Sequence, residues 1–366
     1  MSGSIGSATL GSYGALGVAV ADSANIKQQL DTLTDQVGNG LVSTDYAGLG
    51  QAASISISIN PLLGQQQTWQ NNIDSATGTM SVAQTALTQI QSIASSFYAQ
   101  LDNLNGTSTT YVDSTAAAAQ QALQQVAGLL DTTDGNGNYV FAGQDTANAP
   151  VPDPDGILTS GFYTQINAAV ANLGTAGAAA TAASTLAIAS SNAAGTSPFS
   201  AYMSQPAATL TAAAPQVQVG NQQSVTIGLS ASANTFVAST GTSTTGSYMR
   251  DLLSGLATIA SLSSSQISDT GFSDLVQDTR TSMSGAIDAM ASDVGVLGNQ
   301  QAALTAAKTQ IGDMQTALTT QVSGVQDVDQ AATISKMQLV ETQLQSSYQI
   351  IATMEGLSLA KFLPAA

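Results

Sequence analysis

Residues 134 to 145, DGNGNYVFAGQD, place Asp134, Asn136, Asn138 and Asp145 at positions 1, 3, 5 and 12 of a calcium-loop spacing. Such a loop turns on a Gly at position 6 and closes on a bidentate Glu at position 12. Tyr139 and Asp145 stand there instead, so the stretch reads as a solvated turn, as does DPDG at 153–156. Serine is abundant, but there is no His to activate it, and no Ser/Lys pair stands out among the scattered lysines. Acid–base chemistry by two carboxylates would need two of the many Asp side chains held in one cleft, and nothing in their spacing does that. With no Cys and no His, thiolate nucleophiles, disulfides and Cys/His metal sites are excluded. The reading is therefore not an enzyme, with no catalytic residue, no metal site and no cofactor.

The charge balance narrows the partners. A net charge of -17, with no Lys or Arg between Lys27 and Arg250, argues against binding nucleic acid. No run reaches the 18 or so apolar residues of a membrane span, so membrane insertion is not expected. GALGVAVA at 14–21 lacks the basic flank of a cleaved signal, which leaves the cytoplasm or an export route that cleaves nothing. A chain of 366 residues has room for two or three domains.

The elements that must position any working surface are helices in matched halves. The first 25 residues are mainly Gly, Ser and Ala, with almost no periodicity, and are expected as a flexible leader. From there Ile26, Leu30, Leu33, Val37 and Leu41 step by 4, 3, 4 and 4, one helix face. Ile55, Ile57 and Ile59 alternate before Pro61, which predicts a connector of extended character and then a fresh helix. Ile73, Ala76, Met80, Ala83, Leu87, Ile90, Ala94, Phe97, Leu101 and Leu104 then keep a heptad rhythm without a slip. A shorter helical segment, AAAAQQALQQVAGLLD, leads into the turn-rich stretch around residue 134.

Residues 146 to about 245 hold most of the prolines together with Ala-rich and Ser/Thr-rich runs. Val217 and Val219, then Val225, Ile227 and Leu229, alternate about GNQQ and predict a β-hairpin. The heptad rhythm returns from Val276 through Arg280, Met283, Ile287, Met290, Val294, Leu297, Gln300, Leu304, Ala307, Ile311, Met314, Leu318 and Gln321 to Ala332. A helix of that length spans roughly 80 Å. Past Ala332 a new stripe begins at Ile334 and runs on through Phe362 and Leu363. Arg280, Gln300 and Gln321 either fix the register of the seam or sit at its exposed edge.

The expected fold is mainly α: long antiparallel heptad helices formed by the N- and C-terminal halves, a coiled-coil rod, with an inserted central α+β or β-containing domain. The expected division is 1–45 (leader and N-terminal helix of an inner terminal domain), 46–145 (first part of the rod), 146–245 (an inserted, surface-exposed domain), 246–325 (second part of the rod) and 326–366 (C-terminal helix of the inner domain). The rod seam is expected at Ile73, Met80, Leu87, Ile90, Phe97, Leu101, Val294, Leu297, Leu304, Ile311, Met314 and Leu318. An apolar stripe at a chain end, where fraying is the rule, is explained if many copies pack their ends together. That polymer interface is expected at Ile26, Leu30, Leu33, Val37, Ile334, Met337, Val340, Leu344, Tyr348, Ile351, Met354, Leu357 and Leu359.

Specific words in the sequence also resemble a family. The stretch GLVSTDYAGLGQAASISISINPLLGQQQTWQNNIDSATGTMSVAQTALTQIQSI, with Asp45, Ala47, Gly48, Asn72, Ile73, Ala76, Ala83, Ala86, Leu87 and Ile90, is similar to the N-terminal region of bacterial flagellins and of the hook-filament junction protein, hook-associated protein 3. Asp327, Asp329, Ala331, Leu339, Gln343, Leu344, Gln345, Ser347, Tyr348, Leu357, Ser358, Leu359 and Leu363 match the C-terminal signature of the same proteins. NGNYVFAGQDT resembles a phrase of the junction protein, whereas VQVGNQQSVTIGLSASANTF followed by MRDLLSGLATIASL resembles the return to the rod in short flagellins. The resemblance implies a subunit exported by the flagellar type III apparatus and polymerised into a helical filament outside the cell for motility. Its partners would be copies of itself, an export chaperone and the hook-associated proteins. The alternatives are the junction protein and a non-flagellar helical bundle.

Overall fold

A computed structural model describes residues 7–104, 108–234, 236–239 and 243–360. In chain order the helices are α1 (Ser7–Asn39), α2 (Ala53–Leu101), α3 (Thr109–Leu130), α4 (Gly161–Ala171), the single turn α5 (Leu173–Ala176), α6 (Ala178–Ser190), α7 (Ala207–Ala212), α8 (Tyr248–Ala260), α9 (Phe272–Gln326) and α10 (Gln330–Ala360). The strands β1 (Gln216–Gly220) and β2 (Gln223–Thr226) form an antiparallel hairpin that pairs Val217 with Val225. The fold is mainly α, with long helices from both halves of the chain and a small sheet in the middle. The chain divides into two compact units, one of Met1–Gln66 with Gly312–Ala366 and one of Gln67–Ile311.

In the first unit α1 lies antiparallel to α10. Val42 N–H donates to Gln326 O at 2.7 Å and Val328 N–H to Gly40 O at 3.0 Å, and Thr34 Oγ1 meets Met337 Sδ at 3.9 Å. Gly40, at φ +73°, takes the left-handed turn that ends α1. Asp329 starts α10, its Oδ1 accepting from Ala332 N–H at 3.0 Å. The helix break thus falls at 327–329, before the register change expected past Ala332.

Two expectations for this unit are corrected. Residues 7–25, read as a flexible leader, belong to α1, because Leu16, Ala19 and Ser23 continue the 3, 4 spacing of Ile26, Leu30, Leu33 and Val37 against α10. Packing of that face outweighs the low propensity of Gly14 and Gly17, around which there is open space. The alternation at Ile55, Ile57 and Ile59 is not extended either. Ser56 and Ile59 are buried and step by 3 and 4 to Leu63 and then Gln66, so the helix period prevails and exposed Pro61 lies inside α2.

The second unit has one continuous core. Trp69, Ile73, Ala76, Met80, Ala83, Leu87, Ile90, Ala94, Phe97 and Leu101 of α2 are all buried. Asp102 pairs with Arg280 at 2.8 Å, Tyr98 lies under the same guanidinium at 4.8 Å, and Asp74 pairs with Lys308, which fixes α9 antiparallel to α2. Two helices alone do not close this core. α8 is buried along its whole length, packs on α3, α4 and α6, and carries Gly255, where a Cβ would come within 2.9 Å of Met283 Cγ on α9. Residues 146–245, read as an insertion of their own, share the core through Phe162, Ile166, Val170, Phe199, Met203, Leu210, Val219 and Leu229.

Among the described residues the buried charged side chains are Arg250, Asp251 and Asp293. Asp251 is held by Thr244 Oγ1, by Thr245 N–H at 2.7 Å and by Thr245 Oγ1 at 2.8 Å. Asp293 is fully buried, and neither of its oxygens makes a well-formed hydrogen bond among the described residues. Burial pushes its carboxyl up to about 6, against the opposing pull of the Tyr248 hydroxyl and the backbone at Val237. Burial and the nearby Asp293 in turn push the Tyr248 phenol well above its usual range.

Candidate assembly surface

The first unit exposes apolar side chains because one helix pair can cover only one face of each member. On α10 the face turned to α1 consists of Thr333, Met337, Val340, Leu344, Ser347, Ile351 and Met354, stepping by 4 and 3, with Val340 and Leu344 buried. Ile334 and Tyr348, read as part of that stripe, lie beside it, 38% and 52% exposed. Thr333 and Ser347 occupy the positions facing α1. On α1, Ile26, Leu30, Leu33 and Val37 are half-buried. The side chains of Leu357 and Leu359, like residues Phe362 and Leu363, lie outside the described part.

Residues off the stripe complete the surface. Leu339 and Ile350 of α10 are 59% and 55% exposed. At about 100° per residue, Ile334 and Tyr348 fall about 90° to one side of the α1-facing row, and Leu339 and Ile350 about 100° to the other. α10 is therefore apolar on three sides, and α1 covers one. Val18, Val20, Tyr46, Ile57, Leu62 and Met314 are also exposed. Every large hydrophobic side chain found exposed among the described residues lies in the first unit and none in the second. Stripe reading passes over Leu339 and Ile350 because it keeps the residues that share one face and discards those on the next.

The rod-seam residues divide differently. Ile73, Met80, Leu87, Ile90, Phe97, Leu101, Leu297, Leu304 and Ile311 are buried, and Val294 packs half-buried on the same core. Leu318 is half-buried. Met314, read as a seam position, is 46% exposed with Gln66 Nε2 donating to its Sδ at 3.2 Å. Of the polar seam positions, Arg280 is ion-paired, Gln300 is half-buried with Oε1 unpartnered among the described residues, and Gln321 is exposed.

The polar motifs serve turns. Asp45 Oδ1 accepts from Gly48 N–H at 2.8 Å, and a Cβ at Gly48 would come within 2.1 Å of Ser43 Oγ, so the Asp-x-Ala-Gly word is a tight turn that needs its Gly. Asp134 Oδ1 accepts from Asn136 and Asn138 N–H at 2.9 and 3.0 Å, and Thr79 Oγ1 donates to Oδ2 at 3.0 Å. Burial pulls that carboxyl up, but these bonds outweigh it and leave its pKa below the ordinary value. The turn thereby fastens the loop to α2. The phrase YVFAG buries Val140, Phe141 and Ala142 in the core and bridges Ala142 to Ser230.

Residues 281–363 match the family described as the bacterial flagellin C-terminal helical region, and the match supports the bacterial flagellin family. It covers most of α9 and all of α10. None of the curated proteins matches the chain.

Proposed function

We propose that this chain, which carries the C-terminal helical region of bacterial flagellins, is the structural subunit of a flagellar filament. Flagellins are structural proteins, and the observation that carries the reading is the confinement of exposed large apolar residues to the unit made of the two chain ends. An exposed apolar patch on one element marks a contact site. Here α10 has two uncovered sides on opposite flanks. A twofold dimer would bury one of them; covering both takes at least two neighbours in non-equivalent contacts, the arrangement that generates rings and helical tubes.

On this reading residues 1–45 and 326–366 form the inner tube through Ile26, Leu30, Leu33, Val37 and the α10 surface. Residues 46–145 and 246–325 form the wall, and 146–245 face outward. The chain leaves the cell through the flagellar type III apparatus, with an export chaperone and the hook-associated proteins as partners, and works in the extracellular flagellum. The second reading is the hook-filament junction protein, favoured by the YVFAG phrase. Immunogold electron microscopy with an antibody against residues 146–245 separates them. Gold along whole filaments is the expected result, gold only where hook meets filament assigns the junction protein, and cells without flagellar gold overturn both.

A further inference from the structure

Arg250 is a buried cation that no carboxylate among the described residues neutralises. Its Nε donates to Ser232 O at 2.9 Å, Nη1 to Ala189 O at 2.9 Å and Ser191 O at 3.3 Å, and Nη2 to Asn192 Oδ1 at 2.7 Å. The guanidinium carbon lies 5.2 Å from the centre of the Phe199 ring. These groups orient the guanidinium without neutralising it, whereas the less buried Arg280 has Asp102. The neighbouring Asp251 is taken up by Thr244 and Thr245, and the Arg250 ion-pairs with no carboxylate among the described residues. Burial accordingly pulls its pKa below the usual value. A buried positive charge that is hydrogen-bonded but not ion-paired is expensive to desolvate unless an anion binds it.

Arg250 forms part of the wall of a cleft of about 330 Å³, beside Ser190, Asn192, Gln205, Asn234 and Ala208. That volume equals roughly ten water molecules and sits at the lower end of small-molecule sites. Two hydrogen bonds from Nη1 and one from Nη2 leave one Nη2 N–H with no acceptor among the described residues. A single charge and a single free donor suit a monoanion better than a dianion. Asn234 is taken up by Gly246 O and Tyr248 N–H, but the Gln205 amide can donate and accept, Asn192 Nδ2 can donate and Ser190 Oγ can accept, as a polyhydroxylated ligand requires, and Ala208 gives a wall for C–H groups. We propose that this cleft binds a small hydroxylated carboxylate of the sugar-acid class, with Arg250 as the counter-charge. The inference is independent of the filament reading.

The test uses the full chain in its monomeric form, titrated with glucuronate, glucose and inorganic phosphate while thermal unfolding is followed. Glucuronate should raise the midpoint saturably and glucose should leave it in place. Ala208→Phe, which fills the cleft while keeping the Arg250 hydrogen bonds, should weaken glucuronate at least tenfold; Arg250→Gln should abolish the effect if the variant folds. Equal responses to glucuronate and glucose, phosphate binding as tightly as glucuronate, or unweakened binding by Ala208→Phe would each overturn the proposal.

Discussion

Asp293→Asn should stabilise the Gln67–Ile311 unit at neutral pH and change it little in mild acid. Asp293 is fully buried on α9, faces Tyr248, and its carboxyl is pushed from 3.8 to about 6. The folded chain therefore holds this proton more tightly than the unfolded chain. Its contribution is fully present below about pH 4, is lost as the pH rises through about 6, and is constant above that. At about 1.4 kcal/mol per pH unit, ionised Asp293 weakens the fold by about 3 kcal/mol. Asn keeps the shape and never ionises, but its amide also needs partners, so the net gain near neutrality should be about 1–2 kcal/mol. For a unit of this size that is a midpoint rise of about 2–8 °C. The assay is thermal unfolding by circular dichroism across about pH 4 to 8. Burial also pushes Asp131 up to about 6, against the pull of the Val151 N–H, so the variant should keep part of the parent's downward slope. A variant whose profile runs parallel to the parent's, or that is less stable near neutrality, refutes the reasoning.

Leu339→Asp and Ile350→Asp should leave monomer stability within about 0.5 kcal/mol and abolish polymerisation in a seeded turbidity assay, because both side chains are exposed in the single chain. Leu344→Asp should instead melt the α1/α10 pair, read as lost helicity, since Leu344 is buried between them. Gly48→Ala should open the Asp45 turn, costing about 1–3 kcal/mol locally and speeding hydrogen exchange over residues 43–52, because the added Cβ collides with Ser43. Many flagellins carry Arg and Glu on the exposed face of the first wall helix, and QSIASSFYAQL at 91–101 has neither. On the proposed filament reading, purified monomer should therefore activate the mammalian flagellin receptor weakly or not at all in a reporter-cell assay, and a potent response would contradict this.

What the sequence reveals here is which residues share a helix face. The α2 seam from Ile73 to Leu101 is legible because every step is 3 or 4 and every member is buried. The same logic fails where a face is filled by small or polar residues: Ser23 and Ser56 are buried helix positions that no apolar count marks, and it is at those two places that helix replaces the expected leader and extended connector. α8 exposes a different limit. Its thirteen residues are all buried, so burial carries no period, and only contact with α3, α4, α6 and α9 reveals it as the central helix of its unit. The candidate surface is harder still, because it is a remainder. Nothing local distinguishes Leu339 from Leu344; one helix partner, α1, covers the second and leaves the first exposed. Ile334 and Tyr348 look like seam residues in sequence for the same reason, being one position along from Thr333 and Ser347. The surface proposed for other copies of the chain is thus defined by what the chain itself fails to cover, and that follows from the pairing of α1 with α10 rather than from the composition of either.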